Sequence, residues 1–171
     1  MQQYRWFAVY THLDEEMLFL SAMQEHGVVA YLPMRRFWQT DGKKRKIAYE
    51  PLFKCHVFVR TTTQGLQTVK EAPGYSHMVR HGKYLAAIPE SHIVKIKTIL
   101  HYYEDATSCP NNRVHGVPVA VVSGNLQGMV GFLDDGEGQR PIAMEIGQLG
   151  QSVMVEVPMN TVVRTVLPTT V

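Results

Sequence analysis

The sequence has few of the features that mark secreted, membrane or metal-binding proteins. It contains two cysteines in 171 residues, Cys55 and Cys109, and they lack the two- to four-residue spacing of zinc ligands. No apolar run reaches the roughly 18 residues that a membrane-spanning helix needs. Residues 1–7 show neither the basic nor the apolar region of an export signal. We therefore expect a cytoplasmic protein with reduced thiols and no association with a membrane.

Signals of catalysis are also scarce. No serine occupies a G-x-S-x-G turn, and no glycine-rich loop of the phosphate-binding type is present. Among eight histidines, His77 and His81 are four residues apart, but on a strand and turn this spacing does not place both side chains on one face. We expect no enzyme, no catalytic residues, no metal and no cofactor.

Charge is distributed unevenly along the chain. Residues 1–104 contain fourteen Lys and Arg against nine Asp and Glu, a net charge of +5, whereas residues 105–171 contain three against six, a net charge of −3. The first part suits a polyanion or an acidic partner, and the second suits neither DNA nor anionic lipid. Ordinary scatter of surface charge is the alternative.

Hydrophobic periodicity predicts an α+β arrangement in the first part of the chain. We expect a helix over 13–27 that Asp14 caps and Gly27 ends, and another over 89–103 with an isoleucine stripe. A short helix is possible over 65–72. The predicted strands are 4–11, 28–38, 47–50, 52–60 and 76–80, with a turn over 41–46 between the second and the third.

Beyond residue 104 the pattern changes. Residues 105–113 are polar and turn-forming, which is typical of a linker. Residues 114–171 consist of short apolar runs separated by glycines, which predicts a small all-β barrel. Such a barrel has a thin core and no room for a deep cleft, so we expect a binding module. The predicted division is therefore 1–104, a linker over 105–113, and 114–171.

Particular motifs carry a resemblance to a known family. VAVVSGNLQGMVG, at 119–131, resembles the KOW motif, with Gly124, Leu126 and Gly131 at the characteristic positions. Upstream, the segments RWFAVYT, AYLPM, PLFKCHVFV, PGYSHMVRHG and AAIPESHI resemble, in order, the N-terminal domain of the NusG family of transcription elongation factors. The resemblance implies an antiparallel sheet flanked by helices, followed by an SH3-like KOW barrel.

One segment departs from the general members of that family. Where they tend to read FFPGYV, this chain has PLFKCHV at 51–57. Together with the preceding Glu50, this segment is more similar to specialised paralogues such as RfaH and the antiterminators of capsule operons. The resemblance therefore implies a regulator dedicated to a particular long operon.

The resemblance implies that an apolar depression of the first domain binds the clamp helices of the RNA polymerase largest subunit. Carried over by position, the residues that bind RNA polymerase are Trp6, Tyr10, Phe53, His56 and Phe58. The alternative is that these rings fill the core beneath the helices. A histidine at position 56 could also make the contact sensitive to pH.

The predicted turn over 41–46 carries four consecutive cations. Lys43, Lys44, Arg45 and Lys46 lie where family members approach upstream or non-template DNA, and Arg35 and Arg36 flank the same hairpin. Cations at these positions would neutralise phosphates and give a salt-sensitive affinity. The alternative is a solvated loop that only aids solubility.

In the barrel, the family presents apolar tips to a ribosomal protein or to the termination factor Rho. The matching positions are Leu126, Met129 and Leu149, with Leu126 expected to be an exposed tip. The same residues could instead form the core of the barrel. Because glycine and β-branched residues oppose helix, we expect the barrel not to refold into a helical hairpin.

These features predict a transcription elongation and antitermination factor, expected to be a monomer. The alternative is a KOW-type RNA-binding or ribosome-associated protein. An RNA-binding barrel should be basic, and the net charge of −3 after residue 104 therefore favours a protein partner for this part.

Overall fold

The computed structural model describes residues 1–133 and 141–166. In chain order the elements are β1 (Arg5–Thr11), α1 (Glu16–Glu25), β2 (Val29–Tyr31), β3 (Met34–Asp41), β4 (Lys44–Pro51), β5 (His56–Thr61), α2 (Leu66–Glu71), β6 (Tyr75–Met78), β7 (Arg80–His81), β8 (Tyr84–Leu85), β9 (Ala87–Ile88), α3 (Glu90–Tyr102), β10 (Thr107–Pro110), β11 (Val117–Val121), β12 (Val130–Leu133), β13 (Ile142–Glu145), β14 (Gln151–Val155) and β15 (Val162–Arg164). Short 3-10 helices occur at Asn111–Arg113, Gly147–Leu149 and Met159–Thr161.

The N-terminal sheet is antiparallel, with the strand order β2-β5-β1-β6 and with β9 also paired to β1. Alternation along β1 and β5 divides its side chains between two faces. Phe7 and Val57 belong to the face that packs against α1 and α2. Trp6 and Phe58 belong to the opposite face, where α3 packs through Ile93, Ile96 and Ile99. The predicted sheet flanked by helices is confirmed.

The helix ends differ in part from the prediction. Asp14 does not cap α1, because it adopts a left-handed conformation with φ 61°, and the N-cap position falls to Glu15. Gly27 follows the helix with φ 67°, a conformation that glycine adopts without strain. Helix α3 begins directly after Pro89, as expected. No helix in the described parts of the chain is long and apolar enough to cross a membrane.

A turn interrupts the single strand predicted over 52–60. Strand β4 extends to Pro51 and β5 begins only at His56. Between them, Cys55 has φ 61° and donates its backbone N–H to Glu16 Oε1 at 2.8 Å. Cys55 therefore lies in a turn, and the prediction of one continuous strand over 52–60 is wrong. Because Leu52 and Phe53 are both buried, the apolar pattern of the sequence continues into this turn.

Strands β3 and β4 form a two-stranded ribbon of their own. Their register runs from Met34 opposite Pro51 to Asp41 opposite Lys44, so that Gly42 and Lys43 alone make the turn. The turn predicted over 41–46 is therefore too long. A two-residue turn needs positive φ at its first position, and Gly42 supplies φ 59°.

The C-terminal sheet has six antiparallel strands in the order β10-β14-β13-β12-β11-β15, the all-β unit expected. Strand β10 lies within the segment predicted to be a linker, so residues 107–110 of that segment belong to the sheet. Gly131 on β12 permits a close approach between strands. A β-carbon there would lie 2.5 Å from the carbonyl oxygen of Ala143.

The two sheets share one apolar cluster. It includes Phe58 and Ile96 from the N-terminal part and Leu126 and Val153 from the C-terminal sheet. Polar contacts reinforce the junction, because Ser108 Oγ donates to the carbonyl oxygen of Leu52 at 2.6 Å. The C-terminal sheet therefore packs directly against the α3 face of the N-terminal sheet.

Candidate functional site

The residues predicted to bind polymerase lie on one face of the N-terminal sheet; we call Tyr10, Phe53, His56 and Phe58 the aromatic group. The antiparallel register places Tyr10 opposite His56 and Ala8 opposite Phe58. Alternation then directs these side chains to the α3 face. Phe53 precedes β5 and reaches the same face from the turn.

Ring contacts connect the four members of the aromatic group. The ring centroids of Tyr10 and His56 are 4.3 Å apart, and those of Phe53 and Phe58 are 6.2 Å apart in an edge-to-face arrangement. Tyr10 also stacks on His77, with a centroid distance of 4.5 Å. Trp6, the fifth residue predicted here, instead donates Nε1–H to Glu90 Oε2 at 2.6 Å, at the start of α3.

Most of this face is covered. Phe53, His56, Phe58 and Trp6 are buried, while Tyr10 is half-buried. The apolar cluster that contains them joins α3 to side chains of the C-terminal sheet. A core role and a binding role for these residues are therefore not exclusive, since what buries them includes a separate sheet.

His56 is buried and incompletely hydrogen-bonded. Its Nδ1 lies 2.7 Å from the carbonyl oxygen of Lys54, while its Nε2 is buried and has no hydrogen-bond partner among the described residues. Burial lowers the pKa of His56 below its ordinary value of 6.5, against smaller opposing effects of the Lys54 hydrogen bond and the charge of Glu16. Protonation would place an incompletely paired charge in this apolar environment.

A cleft of about 550 Å³ lies between the two sheets beside Tyr10. One side includes Tyr10, His77 and Arg80, and the other is the segment 147–150. Contact is close beneath it, because a β-carbon at Gly147 would lie 2.5 Å from the His92 ring. The sequence analysis did not predict that His77 and His92 lie near this cleft, because their positions there depend on contacts between segments that are distant in sequence.

The two arginines of the ribbon are engaged within the chain. Arg35 pairs with Glu50 at 2.6 Å and donates Nε–H to the carbonyl oxygen of Ala106 at 2.7 Å. Arg36 lies 3.3 Å from Glu104 as an ion pair. Arg35 therefore fastens the base of the ribbon to the segment that leads into β10, and Arg36 is partly neutralised.

Four further cations occupy the end of the ribbon; we call Lys43, Lys44, Arg45 and Lys46 the ribbon cations. All four are exposed, and none forms an ion pair within the described residues. Lys43 is in the turn, whereas the other three continue β4 on alternating faces. Trp38, Ile47 and Tyr49 are exposed nearby, and the sequence analysis did not single them out.

The residues predicted to form the apolar tips of the barrel are covered. Leu126 is 1% exposed and Leu149 is 4% exposed, so the expectation of an exposed tip at Leu126 is wrong. Met129 is half-buried against the same cluster. The turn itself is tight, with Gly124 at φ 87° and Gln127 N–H bonded to its carbonyl oxygen at 3.2 Å. It folds Leu126 inward, and the partner role of these three residues stays a prediction.

Comparison with known proteins identifies the family. The family model described as "Transcription termination factor nusG" matches residues 4–97, more than half of the chain. The chain belongs to the NusG family. It is thus a transcription elongation or termination factor of a family whose members bind RNA polymerase.

A solved structure shows the same fold. The structure titled "Domain interaction in Thermotoga maritima NusG" superimposes with a TM-score of 0.59 at 18% identity, covering 95% of this chain and 97% of that one. No curated protein matches the chain significantly. Within the described residues, no group of three or more His, Cys, Asp or Glu side chains could hold a metal ion.

Proposed function

We propose that this NusG-family protein is an antitermination factor that binds the clamp helices of the RNA polymerase largest subunit. On this proposal it suppresses pausing and termination in a specific long operon. The observation that carries the proposal is the aromatic group, which gathers four rings on one face of the N-terminal sheet. Clustered aromatic side chains are the usual anchors of a protein interface.

Binding begins at Tyr10 on this proposal. Tyr10 is half-buried and borders the cleft between the sheets, whereas Phe53 and Phe58 lie deeper. A clamp helix reaches those deeper rings only when the C-terminal sheet moves away from the α3 face. The polymerase and the C-terminal sheet then compete for the same apolar surface.

The ribbon cations supply a second contact, to upstream or non-template DNA. They are exposed and without ion pairs in the described part of the chain, so binding phosphate breaks no internal ion pair. Each phosphate contact adds to the salt dependence of the affinity.

The C-terminal sheet would bind a ribosomal protein or Rho. The net charge of −3 beyond residue 104 supports a protein rather than RNA as this partner. Because Leu126 and Leu149 are covered here, such a partner would use Met129 first and the leucines once the sheets separate.

Polymerase retention tests the clamp contact. We expect Tyr10→Ala to reduce retention of the full chain on immobilised RNA polymerase by at least tenfold, because an interface anchor is worth about 2 kcal/mol. Tyr84→Ala removes an exposed aromatic ring from the separate hairpin β7–β8 and should bind as wild type. Equal retention of both variants would refute the assignment of this surface.

Transcription past a terminator tests the activity. On a template with a pause and a terminator, the wild-type chain should increase the read-through product, and Tyr10→Ala should not. An increase in terminated product in the presence of Rho would instead indicate a termination factor.

The salt dependence of binding tests the DNA contact. Replacing the four ribbon cations by serine should weaken binding to an elongation complex and flatten its dependence on salt concentration. Lys70→Ser combined with Lys83→Ser removes two exposed cations elsewhere and shows how much a loss of positive charge outside the ribbon affects binding. An unchanged salt slope in the ribbon variant would leave the cations with a solubility role only.

A further inference from the structure

One face of the β3–β4 ribbon combines exposed aromatic and basic side chains. The register pairs Arg36 with Tyr49, Trp38 with Ile47 and Thr40 with Arg45. Because side chains alternate along a strand, these three pairs lie on one face. We call this the open face. The opposite face carries the half-buried Phe37 and Ala48.

The open face is exposed, and none of the described elements covers it. Trp38 is 59% exposed, Ile47 46% and Tyr49 60%. Leaving such side chains in water forgoes the free energy of their burial. A contiguous exposed apolar patch with a polar rim marks a binding surface.

The charge around this patch is positive. The ribbon, 34–51, holds six Lys and Arg against two Asp and Glu, and one of the two, Glu50, is paired with Arg35. The Arg45 guanidinium lies over the Trp38 ring, 5.2 Å from its centroid, so a flat ligand that stacks on this side of the ring would take the place of the guanidinium. A ligand that fits both features has flat apolar groups and regularly spaced negative charges.

Single-stranded DNA has this chemistry. Its bases expose π-faces that stack on aromatic side chains, and its phosphates attract cations. In a duplex those faces are covered by neighbouring bases and only the edges are accessible in the grooves. An acidic protein would satisfy the cations but would leave the preference for flat rings unexplained.

The spacing of the two rings suits stacked bases. Trp38 and Tyr49 are diagonal neighbours on adjacent strands, and such neighbours are about 7–8 Å apart. Two base steps of roughly 3.4 Å each span nearly the same distance. The ribbon is therefore wide enough to contact successive bases of one strand.

We propose that the open face of the ribbon is a stacking platform for the bases of single-stranded DNA, with the ribbon cations holding the adjacent phosphates. The proposal rests on the proposed function in one respect, the presence of a displaced DNA strand near the ribbon. It extends that function by separating a stacking contact, made by Trp38 and Tyr49, from the charge contact.

The experiment measures binding of the full chain to a labelled oligothymidine of about 15 nucleotides by fluorescence anisotropy. We expect Trp38→Ala to weaken the affinity about five- to a hundredfold and to leave the salt slope unchanged, because no charge is removed. Trp38→Phe should retain most of the affinity. Binding to a duplex of the same length should not respond to Trp38→Ala.

A matched control comes from the hairpin β7–β8. Tyr84 is 69% exposed, with Lys83 Nζ 5.5 Å from its ring centroid, so it presents a similar cation and ring outside the ribbon. Tyr84→Ala should leave the affinity unchanged. If Trp38→Ala behaves like Tyr84→Ala while serine at the ribbon cations abolishes binding, the ribbon binds by charge alone and the platform is refuted.

Two further arms identify the ligand. Oligouridine of equal length tests the assignment to DNA, and tighter binding of oligouridine than of oligothymidine would overturn it. No detectable binding of oligothymidine at low salt would also overturn the proposal. Neither outcome depends on polymerase retention through Tyr10, so the platform and the clamp contact can fail separately.

Discussion

The aromatic group and the open face of the ribbon are built from the same pattern and differ in what lies over them. Both place rings at alternate positions of paired antiparallel strands. Phe58 is completely buried, whereas Trp38 is 59% exposed. The difference arises because α3 and the C-terminal sheet pack on one surface, and no described element packs on the other in this way. Burial, not ring pattern, therefore decides which of the two clusters a partner can contact while the two sheets are packed together.

The largest expected effect on stability comes from truncating a buried ring of the aromatic group. Phe58→Ala should lower the free energy of unfolding by about 3–5 kcal/mol, because it leaves a cavity among well-packed side chains. Urea unfolding of the full chain measures it. Trp38→Ala is the matched control on the ribbon and should stay within about 0.5 kcal/mol of wild type. A loss below 1 kcal/mol for Phe58→Ala would contradict the burial contrast between the two regions.

A smaller effect should follow from weakening the contact between the C-terminal sheet and the α3 face. Gly147→Ala would drive a β-carbon to within 2.5 Å of the His92 ring, which we expect to cost about 1–3 kcal/mol through overpacking. Site-resolved labelling with diethyl pyrocarbonate should then detect greater reactivity of the buried His56. Gly150→Ala controls for backbone strain, since Gly150 has φ 74° and no atom within 4 Å of the added carbon. Equal labelling of His56 in both variants would show that the contact between Gly147 and His92 does not hold the C-terminal sheet against the α3 face.

The smallest expected effect is on the pH dependence of stability. Since burial holds the pKa of His56 below 6.5, the unfolded chain takes up a proton as the pH falls below 6.5 while the folded chain does not. Stability should therefore decline with falling pH, by at most about 1.4 kcal/mol per pH unit for this group. His56→Gln should reduce that decline without removing it, because burial also lowers the pKa of His92.

The free energy of unfolding, measured between pH 5 and pH 8, tests whether stability declines as the pH falls. An identical pH dependence in wild type and His56→Gln would show that the decline comes from other groups. The ribbon provides a contrast here as well, since no histidine lies between residues 34 and 51.

Local patterns predicted the N-terminal fold well. The spacing of Ile93, Ile96 and Ile99 predicted the buried stripe of α3, and the apolar runs predicted the strands that form the N-terminal sheet. Such patterns depend on neighbours in sequence, so they can be read without the tertiary structure. The turn at Cys55 was missed because Leu52 and Phe53 keep an apolar pattern through it.

Long-range packing accounts for the remaining differences. Nothing near Leu126 in the sequence indicates that the tip of its turn folds into the core, since its cover comes from distant segments. The ribbon cations were predicted to lie in a turn, because a run of charged residues does not show that β3 and β4 pair as far as Lys44. The open face was likewise invisible until the register placed Trp38 and Tyr49 on one side.

The close approach of β12 to β13 at Gly131 also limits which codons the gene can carry at this position. Every substitution there adds a β-carbon, and it would meet the backbone of Ala143, which cannot move aside as a side chain can, as well as the side chain of Ile142. Any single-base change that replaces this glycine codon therefore alters the spacing between β12 and β13. In a mutational scan, position 131 should accept synonymous codons and little else, whereas at Gly124, where no atom lies within 4 Å, the restriction comes from the backbone angle alone.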